Sequence, residues 1–167
     1  RTTTGDVRPR PLEDLPATMT PLPSAEGDAM TRAFTASRTF DRPAAEVWAQ
    51  LTDWEHAAGW LGVDDIHPGG PTAVGTELVF RARGKDRRSE IVALDPGRTI
   101  TLRSRQGGVT ADYTYAVEAQ GAGSRATLTA DVRTTGAWTL LAPVIRAAIR
   151  REDAGQLEEL ATTLADH

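Results

Sequence analysis

Cysteine is absent from the 167-residue sequence, and this absence excludes disulfide bonds, thiolate metal sites and cysteine nucleophiles. Asparagine is absent as well, so the chain has no acceptor for N-glycosylation. Lysine occurs once, at Lys85, and the rest of the 19 Lys and Arg residues are arginines. No apolar run is long enough to span a membrane or to form the core of a secretory signal. We therefore expect neither stable membrane insertion nor export.

The overall composition is that of an ordinary globular protein. Hydrophobic residues make up 40% of the chain and charged residues 25%. The formal net charge of -4 and the pI of about 5.4 argue against nucleic acid as a partner. A length of 167 residues suits one folded domain. The expected location is cytoplasmic.

The first 30 residues differ from the rest of the chain. They hold five of the ten prolines and show neither helical nor strand periodicity. This composition predicts a flexible Pro-rich N-terminal extension over residues 1–30, with the folded domain at residues 31–167. The alternative is an arm that packs over the mouth of a pocket.

Regular periodicity begins after this segment. Residues 34–40 alternate between apolar and polar side chains, as a half-buried strand does. Asp41 and Pro43 are typical of a helix start, and the apolar spacing that follows predicts two short helices. The Gly- and Pro-rich residues 62–75 predict a loop with room for a short strand at 63–67.

Five further runs have the alternation of strands, and short turn sequences separate them. These runs are residues 76–83, 88–94, 99–105, 109–119 and 125–134. Because short turns join consecutive strands, the sheet is expected to be antiparallel. Residues 137–166 predict one long amphipathic helix, with Pro143 near its start and Gly155 in its middle. A curved sheet and one long helix share a single interface, and any gap between them must be filled by side chains or by a guest molecule.

Several short motifs resemble those of a known family. They are FDRPAAEVW at 40–48, Asp53-Trp54 followed by Trp60, VGT at 74–76, LDP at 94–96 and GSRATL at 123–128. Over about residues 32–166 the chain is similar to the polyketide cyclase/dehydrase branch of the START-like (SRPBCC) superfamily. The resemblance implies an α+β helix-grip fold, in which a curved antiparallel β-sheet wraps around a long C-terminal α-helix, with two short helices after the first strand. It also implies a deep, mainly apolar ligand cavity.

Candidate site residues are those expected to face this cavity. Tyr113 and Tyr115 share one strand face, where a phenol either packs in the core or hydrogen-bonds a ligand carbonyl and acts as a weak acid. Most strand arginines are expected on the wet convex face, but Arg38 or Arg103 turned inward would anchor a carboxylate or an enolate. The catalytic candidates are Tyr113, Tyr115 and Arg103. The expected ligand-binding residues are Trp60, Phe80, Leu102, Tyr113, Tyr115, Trp138, Leu141 and Ile145.

Three other patterns are not expected to carry chemistry. The Gly-x-Gly-x-x-Ala run at 121–126 lies between two strands, whereas a dinucleotide site needs a helix N-terminus after a strand. Asp64, Asp65 and His67 have no second cluster to complete a metal site. The neighbouring residues 55–56, Glu and His, point in different directions on a helix. We expect no metal and no cofactor.

Two classes of function remain. The first is binding of a hydrophobic small molecule, such as a lipid, a polyketide or an isoprenoid, in the cavity. The second is an enzyme of the polyketide cyclase/dehydratase type, for which two or more ionisable side chains should converge on the cavity. A third class, a protein-regulatory module, would need a large exposed apolar patch. The oligomeric state is expected to be a monomer or a homodimer.

Overall fold

The structure, a computed structural model, describes residues 29–166, and this part of the chain contains seven β-strands. They are β1 (Thr31–Phe40), β2 (Asp65–Pro68), β3 (Glu77–Ala82), β4 (Lys85–Asp95), β5 (Thr99–Gln106), β6 (Val109–Gln120) and β7 (Gly123–Thr134). They form one sheet in the order β1-β7-β6-β5-β4-β3-β2, and all neighbouring strands are antiparallel. The predicted antiparallel sheet is confirmed.

The helices lie at two places in the chain. Between β1 and β2 the chain forms α1 (Ala44–Leu51), a 3₁₀ turn (Trp54–His56) and α2 (Ala58–Leu61). After β7 it forms a second 3₁₀ turn (Gly136–Leu141), then α3 (Ala142–Asp153) and α4 (Gln156–Ala165). None of the helices within residues 29–166 is both long and apolar enough to cross a membrane.

One face of the sheet packs against the helices because its strands alternate in polarity. In β7, Ala126, Leu128, Ala130 and Val132 are buried, while the residues between them are only partly covered. Leu160 of α4 is fully buried in the same hydrophobic core. This concave face therefore holds the hydrophobic core, and the convex face meets solvent.

The C-terminal helical segment differs from the single helix predicted over 137–166. The first α-helix begins at Ala142, because Pro143 has no N–H and its ring would clash with a helical carbonyl four residues earlier. Pro143 instead occupies the first turn of α3. Helix α3 then ends at Asp153, residues 154–155 form a turn, and α4 begins at Gln156. The interruption includes Gly155, which is a poor residue for a helix interior.

The turn between β3 and β4 also differs from the sequence prediction, which put it at residues 84–86. The turn is formed by Arg83 and Gly84, whose φ angles are 55° and 74°. Positive φ at both central residues matches the twist of a two-residue hairpin. Strand β4 consequently starts at Lys85 rather than Arg88, and it is long enough to bring Arg87 into the sheet.

The predicted N-terminal extension lies almost entirely outside the described residues. The structure describes Ala29 and Met30 of that segment, and the prediction for residues 1–30 stays untested.

Candidate functional site

A cavity of about 830 Å³ opens on the concave face of the sheet. In the described chain α3 and α4 pack against β1 and β7, and neither packs extensively on β3, β4 or β5. The uncovered strands and α3 therefore enclose a space of the size typical for small-molecule sites. Its apolar lining includes Leu61, Val63, Ile66, Leu78, Phe80, Leu102, Val109, Ala111, Ile145 and Ile149.

A hydrogen-bonded polar cluster lies on the cavity wall where α3 ends and α4 begins. The Tyr113 hydroxyl donates to Oδ2 of Asp153 at 2.8 Å, and the Tyr115 hydroxyl donates to Oε1 of Gln156 at 2.6 Å. Nε2 of Gln156 donates to Oδ1 of Asp153 at 3.1 Å. The interruption at Gly155 thus lies between two helix ends that both turn a polar side chain towards β6. We call these four side chains the Tyr–Asp cluster.

Burial sets the ionisation of this cluster. Burial raises the pKa of the Asp153 carboxyl, and the hydrogen bonds from Tyr113 and Gln156 only partly oppose that rise. Burial also raises the pKa of Tyr113, and the nearby Asp153 charge and hydrogen bond add to the effect. Burial raises the pKa of Tyr115 in the same way. Both phenols are therefore neutral donors at physiological pH, and Asp153 holds a proton more readily than an exposed aspartate.

Polar side chains also line the strand side of the cavity. Ser89 and Ser104 are cross-strand neighbours on β4 and β5, and their hydroxyls hydrogen-bond each other. Arg87 and Gln106 lie on the same two strands, each two residues closer to the open end of the cavity than the serines. Nη1 of Arg87 donates a hydrogen bond to Oε1 of Gln106. The cavity is thus lined by apolar side chains with polar groups on two opposite walls.

Six of the eight predicted ligand-binding residues line the cavity. They are Phe80, Leu102, Tyr113, Tyr115, Trp138 and Ile145. Trp138 lies beside the β5–β6 hairpin, where its ring packs on Gly107 and Gly108. The binding role of these residues stays a prediction.

The other two predicted residues do not line the cavity. Trp60 is only 1% exposed and lies behind the wall, with its ring edge-on to Tyr115 at 5.8 Å between centroids. Leu141 ends the second 3₁₀ turn and is 51% exposed, because the helix that would have turned it inward starts one residue later. Trp60 therefore cannot contact a guest without a rearrangement, and Leu141 is exposed outside the cavity lining.

Neither Arg38 nor Arg103, the two arginines considered as inward anchors, lines the cavity. Arg103 faces the convex side, where its guanidinium makes two hydrogen bonds of 2.6 Å to the Asp112 carboxylate. As a catalytic candidate Arg103 would have to face the cavity, and this orientation is wrong because the neighbouring Leu102 takes the inward position. Arg38 pairs with Glu158 of α4 and is not part of the cavity lining. The half-buried arginine that does face the cavity is Arg87.

Four cavity residues were not predicted from the sequence, namely Arg87, Ser89, Asp153 and Gln156. A signal for the first two exists, because Arg87, Ser89 and Ile91 alternate along one strand and must share a face. Asp153 and Gln156 are three residues apart, within the segment predicted as one continuous helix over 137–166. The interruption at Gly155 leaves both side chains directed at the sheet.

The patterns set aside in the sequence lie outside the cavity lining. His56 hydrogen-bonds Asp53 at 2.9 Å on the surface, and His67 lies 3.7 Å from Asp65 at an exposed strand edge. Within residues 29–166 no three His, Asp or Glu side chains are grouped as metal ligands would be.

Exposed apolar side chains gather at the start of the C-terminal helical segment. They are Trp138, Leu140, Leu141 and Val144, and Leu140 is 87% exposed. Trp138 belongs to this group and to the cavity lining, so the apolar surface borders the cavity. A protein-regulatory module, the third class of function, requires an exposed apolar patch, and this group of side chains is the one observation that supports it.

A curved antiparallel sheet that encloses a cavity with a C-terminal helical segment defines the helix-grip fold, and the predicted fold class is confirmed. Solved structures share it. The crystal structure of Ara h 8.0201 is 16% identical, with 83% of this chain and 100% of that chain covered and a TM-score of 0.62. TTHA0849 from Thermus thermophilus is 19% identical, with 80% and 95% covered and a TM-score of 0.60. Norcoclaurine synthase from Thalictrum flavum, in complex with dopamine and hydroxybenzaldehyde, is 14% identical, with 83% and 88% covered and a TM-score of 0.62.

The model of the family described as polyketide cyclase / dehydrase and lipid transport matches residues 31–165. The chain therefore belongs to this family, within the START-like (SRPBCC) superfamily, as the sequence motifs predict. A comparison with curated proteins gives no match.

Proposed function

We propose that this protein binds a hydrophobic small molecule in the cavity between the sheet and α3. The observation that carries the proposal is the cavity of about 830 Å³, lined mainly by apolar side chains with a few hydrogen-bonding groups. The family description, which includes lipid transport, supports it. So does the norcoclaurine synthase complex, in which a protein of the same fold holds two small aromatic molecules.

Titration with the fluorescent dye N-phenyl-1-naphthylamine tests this proposal. Ile145 lines the cavity and its neighbour Val144 is 67% exposed, so the two positions form a matched pair on one helix. Replacing Ile145→Trp fills part of the cavity and should weaken dye binding about tenfold, whereas Val144→Trp should leave it unchanged. Far-ultraviolet circular dichroism controls for folding. Failure of the wild-type protein to bind the dye, or equal binding by both variants, would overturn the proposal.

A second candidate is an enzyme of the polyketide cyclase/dehydratase type. The observation that favours it is the convergence of two phenols and a carboxyl in the Tyr–Asp cluster. Ionised Asp153 would accept a proton from a carbon between two carbonyls, and Tyr113 would donate a hydrogen bond to the enolate oxygen that forms. The enolate carbon would then attack a second carbonyl and close the ring, and the proton on Asp153 would pass to the new alkoxide. Asp153, ionised again, would remove the second proton of the attacking carbon, a C=C bond would form, and the hydroxyl would leave with that proton as water. No cofactor is needed for this sequence.

The enzyme candidate is tested with a linear poly-β-ketone thioester and mass spectrometry of the products. The enzyme should form the dehydrated cyclic product faster than buffer alone, and Asp153→Asn should abolish that gain while it retains dye binding. If the cyclic product forms no faster with the wild-type protein than in buffer alone, this reaction is excluded and the binding function remains.

A further inference from the structure

The basic residues around the cavity are not equally neutralised. Five of them border it: Arg83, Lys85, Arg87, Arg88 and Arg105. Three form an ion pair with a carboxylate, namely Arg83 with Glu152 (2.8 Å), Arg88 with Glu77 (3.8 Å) and Arg105 with Glu90 (3.4 Å). Within residues 29–166 Lys85 and Arg87 have no carboxylate at ion-pair distance. Lys85 is exposed to solvent, so Arg87 is the half-buried cation without a counter-charge.

Arg87 is held against the cavity wall by its place in the sheet. It lies between Phe80 on β3 and Gln106 on β5, on the face that also carries Ser89 and buried Ile91. Its Nη1 donates to Gln106, but its Nε is buried and has no acceptor among the described residues. A buried donor and an uncompensated guanidinium are both costly unless an acceptor reaches them.

The wall changes from charged to apolar with depth. The Ser89–Ser104 pair lies two residues deeper than Arg87, or about 7 Å along the strands. Leu102 and Tyr113, a cross-strand pair on β5 and β6, lie about the same distance deeper again. The order from the open end is therefore a cation, two hydroxyls, and then an apolar and aromatic region.

The acidic residues that line the cavity have partners other than Arg87. Glu152 is paired with Arg83, and Asp86 lies 3.6 Å from Arg81. Asp153 accepts hydrogen bonds from Tyr113 and Gln156, and burial raises its pKa, which reduces its repulsion of an anion.

We infer that the ligand is an amphipathic carboxylate, whose anionic head is bound by Arg87 and whose hydrocarbon body lies deeper, between Leu102 and Ile145. This inference rests on the proposed binding function and specifies the chemical class of its ligand. A guanidinium is suited to a carboxylate because its N–H groups match the two oxygens. The hydroxyls of Ser89 and Ser104 are placed to contact the next polar group of such a molecule.

The test compares two fluorescent probes that differ only in the head group, cis-parinaric acid and its methyl ester. The wild-type protein should bind the acid about tenfold more tightly than the ester, since a charge-assisted hydrogen bond adds affinity of that order. Arg87→Gln should remove the preference by weakening acid binding, with ester binding unchanged. Arg98→Gln is the matched control, because it makes the same charge change in the exposed β4–β5 turn.

The outcomes separate this inference from the proposed function. Equal binding of acid and ester by the wild-type protein would overturn the inference and leave the binding function standing. A preference that survives in Arg87→Gln would equally overturn it. Binding of neither probe would overturn both. The acid-to-ester ratio of the wild-type protein decides whether the cavity selects a carboxylate even if Arg87→Gln fails to fold.

Discussion

The two C-terminal helices cover the same sheet in different ways. Helix α4 buries Leu157, Leu160 and Leu164 in the core, whereas Ala142 is the one buried residue of α3. Ile145 and Ile149 of α3 are only partly buried and line the cavity. The helical segment therefore serves two purposes: α4 stabilises the fold, and α3 leaves room for a guest. Binding and stability should be separable by mutation.

The largest expected effect of a mutation on the free energy of unfolding is in α4. Replacing Leu160→Ala removes a fully buried side chain and should cost about 2–5 kcal/mol of the free energy of unfolding. Ile149→Ala in α3 should cost only about 1 kcal/mol, because that side chain borders the cavity. Urea denaturation measures both values. Equal losses for the two variants would contradict the division between the helices.

A smaller loss of stability is expected from a mutation in the β5–β6 hairpin, where Trp138 packs on the backbone. A Cβ atom on Gly108 would lie 2.4 Å from Cδ1 of Trp138 and 2.8 Å from the Thr135 carbonyl oxygen. Gly108→Ala should therefore displace the indole and cost about 1–3 kcal/mol, with a change in tryptophan fluorescence. Gly70→Ala, where a Cβ meets nothing within 4 Å, is the control and should be nearly neutral. An unperturbed Gly108→Ala variant would show that Trp138 does not pack there.

Asp153 should make stability depend on pH. Because its pKa is raised above the ordinary 3.8, the folded state binds the proton more tightly than the unfolded state. The contribution of Asp153 to stability is thus fully present below the ordinary pKa of 3.8, which is that of the unfolded chain, and is lost as the pH rises through the folded-state pKa. Asp153→Asn should therefore be more stable than the wild-type protein at pH 7, and the difference should vanish in strong acid. Thermal unfolding at several pH values measures it, and a stability difference between the two proteins that does not change with pH would contradict a raised pKa.

The smallest expected effect concerns the interruption between the two helices. Gly155 has a negative φ of -84° and a Cβ there meets nothing within 4 Å, so alanine fits without strain. Gly155→Ala should raise the free energy of unfolding by about 0.4–1 kcal/mol through a loss of entropy in the unfolded chain. Destabilisation would show that the interruption itself is required by the packing of the two helices.

The sequence predicted the fold well because local patterns determine it. Alternation in β7 and short turns between strands predict an antiparallel meander, and both appear in the structure. The prediction was less accurate where one residue redirects a segment. Pro143 delays the helix start, and Arg83 adopts a positive φ that sequence rules assign mainly to glycine.

The candidate site was only partly predictable. The inward direction of Tyr113 and Tyr115 follows from strand alternation, whereas the partners of their hydroxyls come from residues about 40 positions later in the chain. The choice between Arg87 and Arg103 depends on which strand residues face inward. Leu102 and Arg103 were both predicted as site residues, but neighbouring residues of a strand point to opposite faces, and Leu102 takes the cavity-facing position on β5.

The most direct test of the division between the two helices is a methyl NMR titration with N-phenyl-1-naphthylamine. Methyl signals of Leu102, Ile145 and Ile149 should shift as the dye binds, because these side chains line the cavity. Signals of Leu157, Leu160 and Leu164 should stay in place, because those side chains are buried in the packed core. Shifts confined to the α4 leucines, or no shift in either set at saturating dye, would contradict the claim that the cavity beside α3 is the binding site.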